Sequence, residues 1–414
     1  MSDINEEHRD IGKIYELVYG ILRGKNFIDF HLSSFIKKPV TDPKTKNILR
    51  IGYYQIKYMD SIPDYAAINT CVELTKEFIH PKVSGFVNAV LRNVIRNKAK
   101  EPCIPAKNKT DYLSIKYSYE PWMIKLFLKH YGEKTAESIL SAGNKRPPVF
   151  IRVNTLKTTE SGLIKQLETE NITTKPVKFL KNCLVISGEN IFRSQSFTNG
   201  LFYIQDAASQ ALGAMANPAP GETLMDIGAA PGGKTALLAQ YSKNRSPIVA
   251  IDPDKERIRM IDSNIAKLGL ENIQVLAHDA SVDIPEFHNS ADKIIIDAPC
   301  SALGVIRRHP EKKWCLTENE IKEFPKLQLK ILNTARKWVK KNGCLFYSTC
   351  TINPAENEKV IEKFLAADKN YKLEDLSGKI PALKECANGK YFLSLPGNIY
   401  NMDGFFIAQI TRKK

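Results

Sequence analysis

ETLMDIGAAPGGKTALLAQYS, Glu222–Ser242, is the stretch that decides the fold. It runs from a short apolar strand through a glycine-rich turn, Gly228 to Lys234, into a helix rich in alanine and leucine. The same unit recurs downstream. PIVAIDPD is a strand and KERIRMIDSNIAKLG a helix. IQVLAHD and KIIIDAP are strands, and a long helix around Pro325 to Lys340 leads into a fifth, GCLFYSTC. Such alternation predicts a parallel sheet with helices on both faces, which takes its ligands at the carboxyl ends of the strands. Asp226, Asp252, Asp279 and Asp297 all fall at such ends.

GAAPGGKT also matches the P-loop pattern letter for letter. KIIIDAP resembles the strand whose terminal Asp holds magnesium in nucleotide hydrolases. The neighbours point elsewhere. Asp226, two residues before the first glycine, suits a cationic or amino-bearing ligand. Asp252 is placed to accept both ribose hydroxyls of an adenosine, and Asp279 to receive an adenine amino group. Three acidic strand ends repel a triphosphate that lacks a metal. They suit a nucleoside carrying a sulfonium, so S-adenosylmethionine is the expected cofactor. Helix capping and turn formation would explain one or two of these aspartates, but hardly all.

Two more strand ends carry cysteine. DAPCSALG puts Cys300 just past the fourth strand, and YSTCTINPAENE puts Cys350 at the end of the fifth. Cysteine beyond a strand end is poorly placed for packing and well placed for chemistry. Carbon 5 of cytosine is a poor nucleophile. A thiolate adding to carbon 6 makes it an enamine carbon able to attack a sulfonium methyl, and sulfur both adds and leaves readily. A carboxyl group at nitrogen 3 would favour the addition, and Asp297 is placed for that. The carbon 5 proton must then leave so that the thiol is expelled, a step a second polar group can assist. Which cysteine attacks does not follow from the spacing.

The chain has 414 residues, too many for one core, and a formal net charge of +15, which favours a polyanionic partner such as nucleic acid. Its other cysteines are Cys71, Cys103, Cys183, Cys315, Cys344 and Cys386. No CxxC pair occurs, so no metal site is expected, and most are expected to be reduced and buried. The opening MSDINEEHRD is polar and acidic, unlike a signal peptide, and no stretch has the roughly 18–20 apolar residues of a membrane span. A soluble, cytoplasmic protein is expected.

Residues 1–110 read as mostly helical, with Ala67, Cys71, Leu74 and Phe78 on one apolar face. In the following helix Ser84 is the expected N-cap and Phe86, Val90 and Val94 the apolar face, with Arg92 and Arg96 on another. Basic residues outnumber acidic ones there, 18 to 12, which fits RNA binding. EPCIPAKNKT is a linker, and a helix follows from Pro121 to about Ala142, within a helical connection over 111–145. Residues 146–215 read as a small α+β module. In its first strand Ile151, Val153 and Thr155 alternate with Arg152 and Asn154 on an expected wet face. Residues 216–414 form the α/β domain.

At these motifs the chain resembles the RsmB (Fmu/Sun) branch of RNA 5-methylcytosine methyltransferases. MDIGAAPGGKT is similar to its cofactor loop, DAPCSALGVIRRHPEKKW and YSTCTINPAENE to its two cysteine motifs, and MDGFFIAQI to its closing strand. RVNTLK and YIQDAAS resemble its RNA-contacting module. ELVYGILR, LRIGYYQIKYMDSIPDYAAINTCVEL and GFVNAVLRNVIR resemble its NusB-like domain.

The resemblance implies an all-α NusB-like domain, a small α+β, RRM-like module and a C-terminal Rossmann-like class I methyltransferase domain. It implies that Cys350 is the nucleophile and that Cys300 assists release. Gly228, Ala229, Ala230, Pro231, Gly232, Gly233 and Lys234, with Asp252, Asp279 and Asp297, would bind the cofactor, and Arg152, Asn154 and Arg308 would contact RNA. The implied substrate is 16S ribosomal RNA, free or in an assembling small subunit, acted on by a monomer. Two departures stand out. Glycine occupies 228, where the family often has cysteine, and the family usually has one more helix before ELVYGILR. The alternatives are the same chemistry on transfer RNA, and an RNA-binding assembly factor that keeps the fold without catalysis.

Overall fold

The computed structural model describes residues 11–105, 108–188 and 191–413. The opening MSDINEEHRD lies outside them. The chain forms two compact units. One is the chain up to Lys145 joined by Ile306–Cys315, and the other is Arg146–Val305 with the chain from Leu316 onward.

The first unit holds α1 (Ile11–Ser33), α2 (Pro43–Tyr58), α3 (Asp64–Phe78), α4 (Pro81–Arg96), α5 (Lys109–Tyr117) and α6 (Pro121–Ala142). Ile28, Leu49, Tyr53, Ala67, Ile68, Cys71, Val87, Leu91 and Val94 form its core. Two expectations are corrected here. The cap of α4 is His80 and not Ser84: Pro81 opens the helix, where its missing N–H costs nothing, and His80 Nδ1 accepts from the Lys82 N–H at 3.1 Å. Ser84 Oγ donates back to the Pro81 carbonyl. The apolar faces are also shifted. On α4 the buried stripe is Val87, Val90, Leu91 and Val94, and Phe86, one residue or about 100° away, is exposed. On α3 Phe78, the last residue of the helix, is 54% exposed.

The helices of 111–145 pack in this same unit. Asn26 Nδ2 donates to the Ser114 carbonyl, and Ser118 Oγ accepts from the Phe27 N–H. The helix expected from Pro121 to Ala142 is α6, broken at Gly132 where φ is +71°.

The second unit opens with β1 (Val149–Val153), α7 (Glu160–Thr169), β2 (Thr173–Pro176), β3 (Cys183–Ser187), α8 (Gln195–Thr198), β4 (Phe202–Ile204) and α9 (Ala207–Ala216). Its four strands form an antiparallel sheet in the order β2-β3-β1-β4. Ile151 and Val153 face the core with Leu163 and Leu167 of α7. The expected wet face is absent: Arg152 and Asn154 are 4% and 0% exposed. Their side chains meet the other half of the unit instead of water. Asn154 Nδ2 donates to the carbonyls of Gly200 and Leu268, and its Oδ1 accepts from Gln240 Nε2. Arg152 Nη1 donates to Gln205 Oε1 and to the Gly233 carbonyl. A strand covered on both sides reads like a half-wet one when the residues on its second side are polar and hydrogen-bonded.

The large sheet follows. Its elements are β5 (Leu224–Ile227), α10 (Gly233–Tyr241), β6 (Ile248–Asp252), α11 (Lys255–Leu268), β7 (Ile273–Ala277) and β8 (Ala291–Asp297). The chain then crosses to the first unit, with α12 (Lys312–Cys315), and returns as α13 (Phe324–Trp338), β9 (Val339–Thr349), α14 (Glu358–Ala367), β10 (Tyr371–Leu373), β11 (Ala387–Asn388), β12 (Tyr391–Ser394) and β13 (Phe405–Arg412). The strand order is β11-β12-β13-β9-β8-β5-β6-β7, with β10 on β13. From β9 to β7 all pairs are parallel, while β13 runs antiparallel to β9. Helices on both faces bury the central strands completely, so consecutive Ile294, Ile295 and Ile296 are all 0% exposed. The order reverses between β5 and β8, and this switch point opens a crevice at the carboxyl ends of those two strands.

The ten residues Ile306–Cys315 belong to the helical unit by their side chains as well. Lys313 is fully buried there. Its Nζ donates to the carbonyls of Arg23 and Tyr117 and to Asn144 Oδ1, three acceptors for the three N–H bonds of an ammonium. Trp314 Nε1 donates to the Leu22 carbonyl at 2.8 Å. Arg308, half-buried, lies on this segment. Of the cysteines, Cys71, Cys183 and Cys386 are buried and Cys103 and Cys315 exposed, so burial is less general than expected.

Candidate active site

The glycine-rich loop sits at the switch point. Gly228 has φ +74°, and a Cβ there would lie 2.4 Å from the Asp297 carbonyl oxygen at the end of β8. No side chain fits at 228 in this chain without moving that strand end. Gly232, at φ +99°, turns the chain into α10. The N–H groups of Gly228 and Ala229 donate to the Ile251 carbonyl, that of Ala230 to Asp252 Oδ2, and that of Gly232 to the Ala229 carbonyl. The loop carbonyls are held too, Ala230 by Arg257 and Pro231 by Asn264. A P-loop cradles phosphates with free backbone N–H groups. Here four are consumed by the fold, unlike the open cradle of a nucleotide hydrolase.

The acidic residues take distinct positions. Asp226 is fully buried on β5 and accepts from Thr235 Oγ1 at 2.6 Å. Its other oxygen, Oδ1, is buried without a partner among the described residues. Burial pushes its carboxyl up to about 6, against the pull of Thr235 and Lys234. Asp252 ends β6, 1% exposed, and accepts from the Ala230 and Asp254 N–H groups. Asp279 lies two residues past β7, exposed, where it accepts from the Ser281 N–H. Asp297 ends β8 and forms a 2.5 Å ion pair with Lys234 Nζ. Burial opposes the Lys234 ammonium, but the Asp297 charge and hydrogen bond, with Asp226 and Cys350 behind them, outweigh it and hold the amine above its usual range.

Cys300 and Cys350 come together. Their Sγ atoms are 3.3 Å apart, each half-buried. The Cys300 thiol is held well above its usual range, first by its hydrogen bond to Cys350 and then by burial. The two sulfurs are within hydrogen-bonding distance of each other, and either can donate. The loops around them are fastened by the backbone: the Gly304 N–H donates to the Cys350 carbonyl, and the Gly404 N–H to the Gly304 carbonyl. A Cβ on Gly304 would lie 2.3 Å from the Gly404 oxygen. The sequence expectations for the loop, Asp297, Cys300 and Cys350 thus converge on one crevice. Arg152 and Asn154 do not reach it as open RNA contacts.

Sequence comparison extends this match over the whole chain. The profile of the 16S rRNA methyltransferase RsmB/F family matches residues 214–411, that of the NusB family residues 1–96, and that of the RsmF/B-like ferredoxin-like domain residues 119–191. The "Probable ribosomal RNA small subunit methyltransferase B" of Bacillus subtilis is 32% identical over 416 residues, covering 100% of this chain and 92% of that protein. The chain belongs to the RsmB/F methyltransferase family. The "Ribosomal RNA small subunit methyltransferase B" of Vibrio cholerae is likewise 32% identical, over 98% of this chain and 90% of its own. The crystal structure of PH0851 superposes with a TM-score of 0.83 at 29% identity, covering 99% of this chain and 92% of its own.

As an RsmB/F protein the chain is a methyltransferase with a NusB domain, a ferredoxin-like module and a Rossmann-like catalytic domain, and its cofactor is S-adenosylmethionine. The residues present fit that cofactor. The crevice is bordered by carboxylates, and the orphaned Asp226 oxygen beside the loop can accept from an amino group.

What sequence reasoning left unassigned is the polar network behind the cysteines. Glu356, Ser301, Thr351, Asn353 and Asn357 are 0–3% exposed. The signal was available: the motif after Cys350 carries Thr351, Asn353, Glu356 and Asn357, yet it begins at the end of an apolar strand.

Proposed function

We propose that this chain methylates carbon 5 of a cytosine in 16S ribosomal RNA through a covalent adduct to Cys350. The observation that carries the proposal is the pair of thiols 3.3 Å apart at the ends of β8 and β9, beside the Lys234–Asp297 ion pair. Methylation of an amino nitrogen needs neither cysteine, because the nitrogen already has electron density to offer. The relatives named for small-subunit ribosomal RNA, similar over nearly their whole length, support the substrate class.

The bound cofactor supplies an electrophilic methyl group on a sulfonium. Cys350, as thiolate beside the Lys234 ammonium, adds to carbon 6 of the flipped-out base. Asp297, relaying a proton from the Lys234 ammonium across their 2.5 Å contact, delivers it to nitrogen 3, where the electron pair of the broken double bond is held. Carbon 5, now nucleophilic, takes the methyl. Release follows: the carbon 5 proton passes to water, the nitrogen 3 proton returns to the Asp297–Lys234 pair, the double bond re-forms, and the Cys350 sulfur departs as thiolate, which the Cys300 thiol can receive with a hydrogen bond. Asp252 and Asp279 bind the adenosine end of the cofactor, and Gly228 to Lys234 shape its bed.

The test is methyl transfer from labelled S-adenosylmethionine to unmodified small-subunit ribosomal RNA and to bulk transfer RNA, with the product base identified. Label as 5-methylcytosine at a ribosomal site is expected. Label in transfer RNA alone would move the substrate, a different methylated base would overturn the chemistry, and no label in either would leave an assembly factor.

A further inference from the structure

We propose that Glu356 is the positioning residue that sets the Cys300 and Cys350 thiols against each other. Its carboxylate, fully buried, joins the two cysteine loops. From the Cys300 loop, Ser301 donates twice, its N–H to Oε2 at 2.8 Å and its Oγ to Oε1 at 2.5 Å. From the Cys350 loop, Thr351 Oγ1 donates to Oε1 at 3.3 Å and Asn353 Nδ2 to Oε1 at 3.0 Å. From α13, Gln328 Nε2 donates to Oε2 at 3.3 Å and also to the Pro299 carbonyl. Ser301 Oγ and Thr351 Oγ1 are themselves 2.8 Å apart.

These bonds reach the immediate chain neighbours of both cysteines. Two loops 50 residues apart in sequence have no covalent reason to keep their thiols within contact. A shared buried acceptor adds a non-covalent reason to the Gly304–Cys350 backbone bond, because the donors of whichever loop moved would be left unsatisfied. The backbone carbonyl of Glu356 is fixed in turn by Tyr347 Oη at 2.6 Å, from within β9. Glu356 also acts on Cys300 through its charge, which helps to hold that thiol up after the Cys350 hydrogen bond and burial; loss of the charge alone would speed thiol oxidation, so slower oxidation reports geometry.

The proposal rests on the cysteines being the reacting pair, and its test separates the two ideas. Glu356→Gln keeps the shape but turns one acceptor into a donor facing other donors. Methyl transfer is expected to fall about 100-fold in kcat, the cost of misplacing reacting groups by about 1 Å. Affinity for S-adenosylhomocysteine should stay within about threefold, since the loop and the strand-end aspartates are untouched. The second readout needs no substrate. Diamide takes two electrons and two protons from two thiols in contact, leaving a disulfide and the corresponding hydrazine. Closure of the Cys300–Cys350 disulfide, followed by peptide mapping, is expected to be at least about tenfold slower in Glu356→Gln, because the rate depends on thiol access to thiol. Glu356→Asp, which keeps the charge, should recover part of both.

Unchanged disulfide closure in a folded Glu356→Gln protein overturns the positioning role, whatever happens to activity. Slowed closure with unchanged methyl transfer keeps the role and overturns the cysteine chemistry. If Glu356→Gln does not fold, Ser301→Ala, which removes one donor and no charge, must slow closure in the same direction or the proposal fails.

Discussion

Cys300 Sγ and Cys350 Sγ lie 3.3 Å apart, although 50 residues separate them in the chain. The contact is made because β8 and β9 are adjacent parallel strands in register, Asp297 opposite Ser348, so that the loops leaving them emerge side by side. One sulfur can then work on a substrate while the other handles its release. Cys350→Ala should abolish methylation and leave cofactor affinity within about threefold, as the cysteine lies outside the cofactor loop. Cys300→Ser should accumulate a protein–RNA adduct that survives denaturing electrophoresis. Full activity in the first variant, or no adduct in the second, would reverse the assigned roles.

Asp226 gives the site a pH dependence of known sign. Burial raises its folded pKa to about 6 from an ordinary 3.8. The folded protein therefore holds this proton more tightly than the unfolded chain does. The associated stability is present below about pH 4 and is lost as pH rises through about 6, a swing of about 3 kcal/mol. Denaturant unfolding of the cofactor-free protein should show wild type losing this amount between those pH values relative to Asp226→Asn. Parallel curves would mean that Asp226 is not buried as a lone carboxylate.

Gly228 should tolerate no side chain. Gly228→Ala places a Cβ 2.4 Å from the Asp297 oxygen at a φ of +74°. The strain is about 1–3 kcal/mol and falls on the loop that binds cofactor. S-adenosylhomocysteine affinity, measured by calorimetry, should drop at least about tenfold, the equivalent of 1.4 kcal/mol. Wild-type affinity would show that the strand end yields.

Asn154 should act on stability and not on RNA binding. Asn154→Ala removes hydrogen bonds to Gly200, Leu268 and Gln240 and leaves buried carbonyls unpaired. A loss of about 2–4 kcal/mol in urea unfolding is expected. Where the variant remains folded, the salt dependence of RNA binding should keep the wild-type slope, because no phosphate contact is lost. A shallower slope would restore Asn154 as an RNA contact.

The sequence was enough to establish the alternating strands and helices of the α/β domain, the glycine-rich turn, the strand ends that bear Asp226, Asp252, Asp297 and Cys350, and the extent of α6. These are local: apolar periodicity, turn chemistry and the end of a strand are written in neighbouring residues. Tertiary structure decided the rest. Arg152 and Asn154 look like a wet strand face in sequence, because polarity marks hydrogen bonding and does not say whether water or a carbonyl accepts. Lys313, charged and next to another lysine, is fully buried because three carbonyl oxygens converge on it from α1, from the residue ending α5 and from Asn144. Glu356 gains its place only when β8 and β9 pair and bring Ser301 to it. A one-dimensional pattern records what each residue can bond to, and the partner is chosen by contacts between segments far apart in the chain.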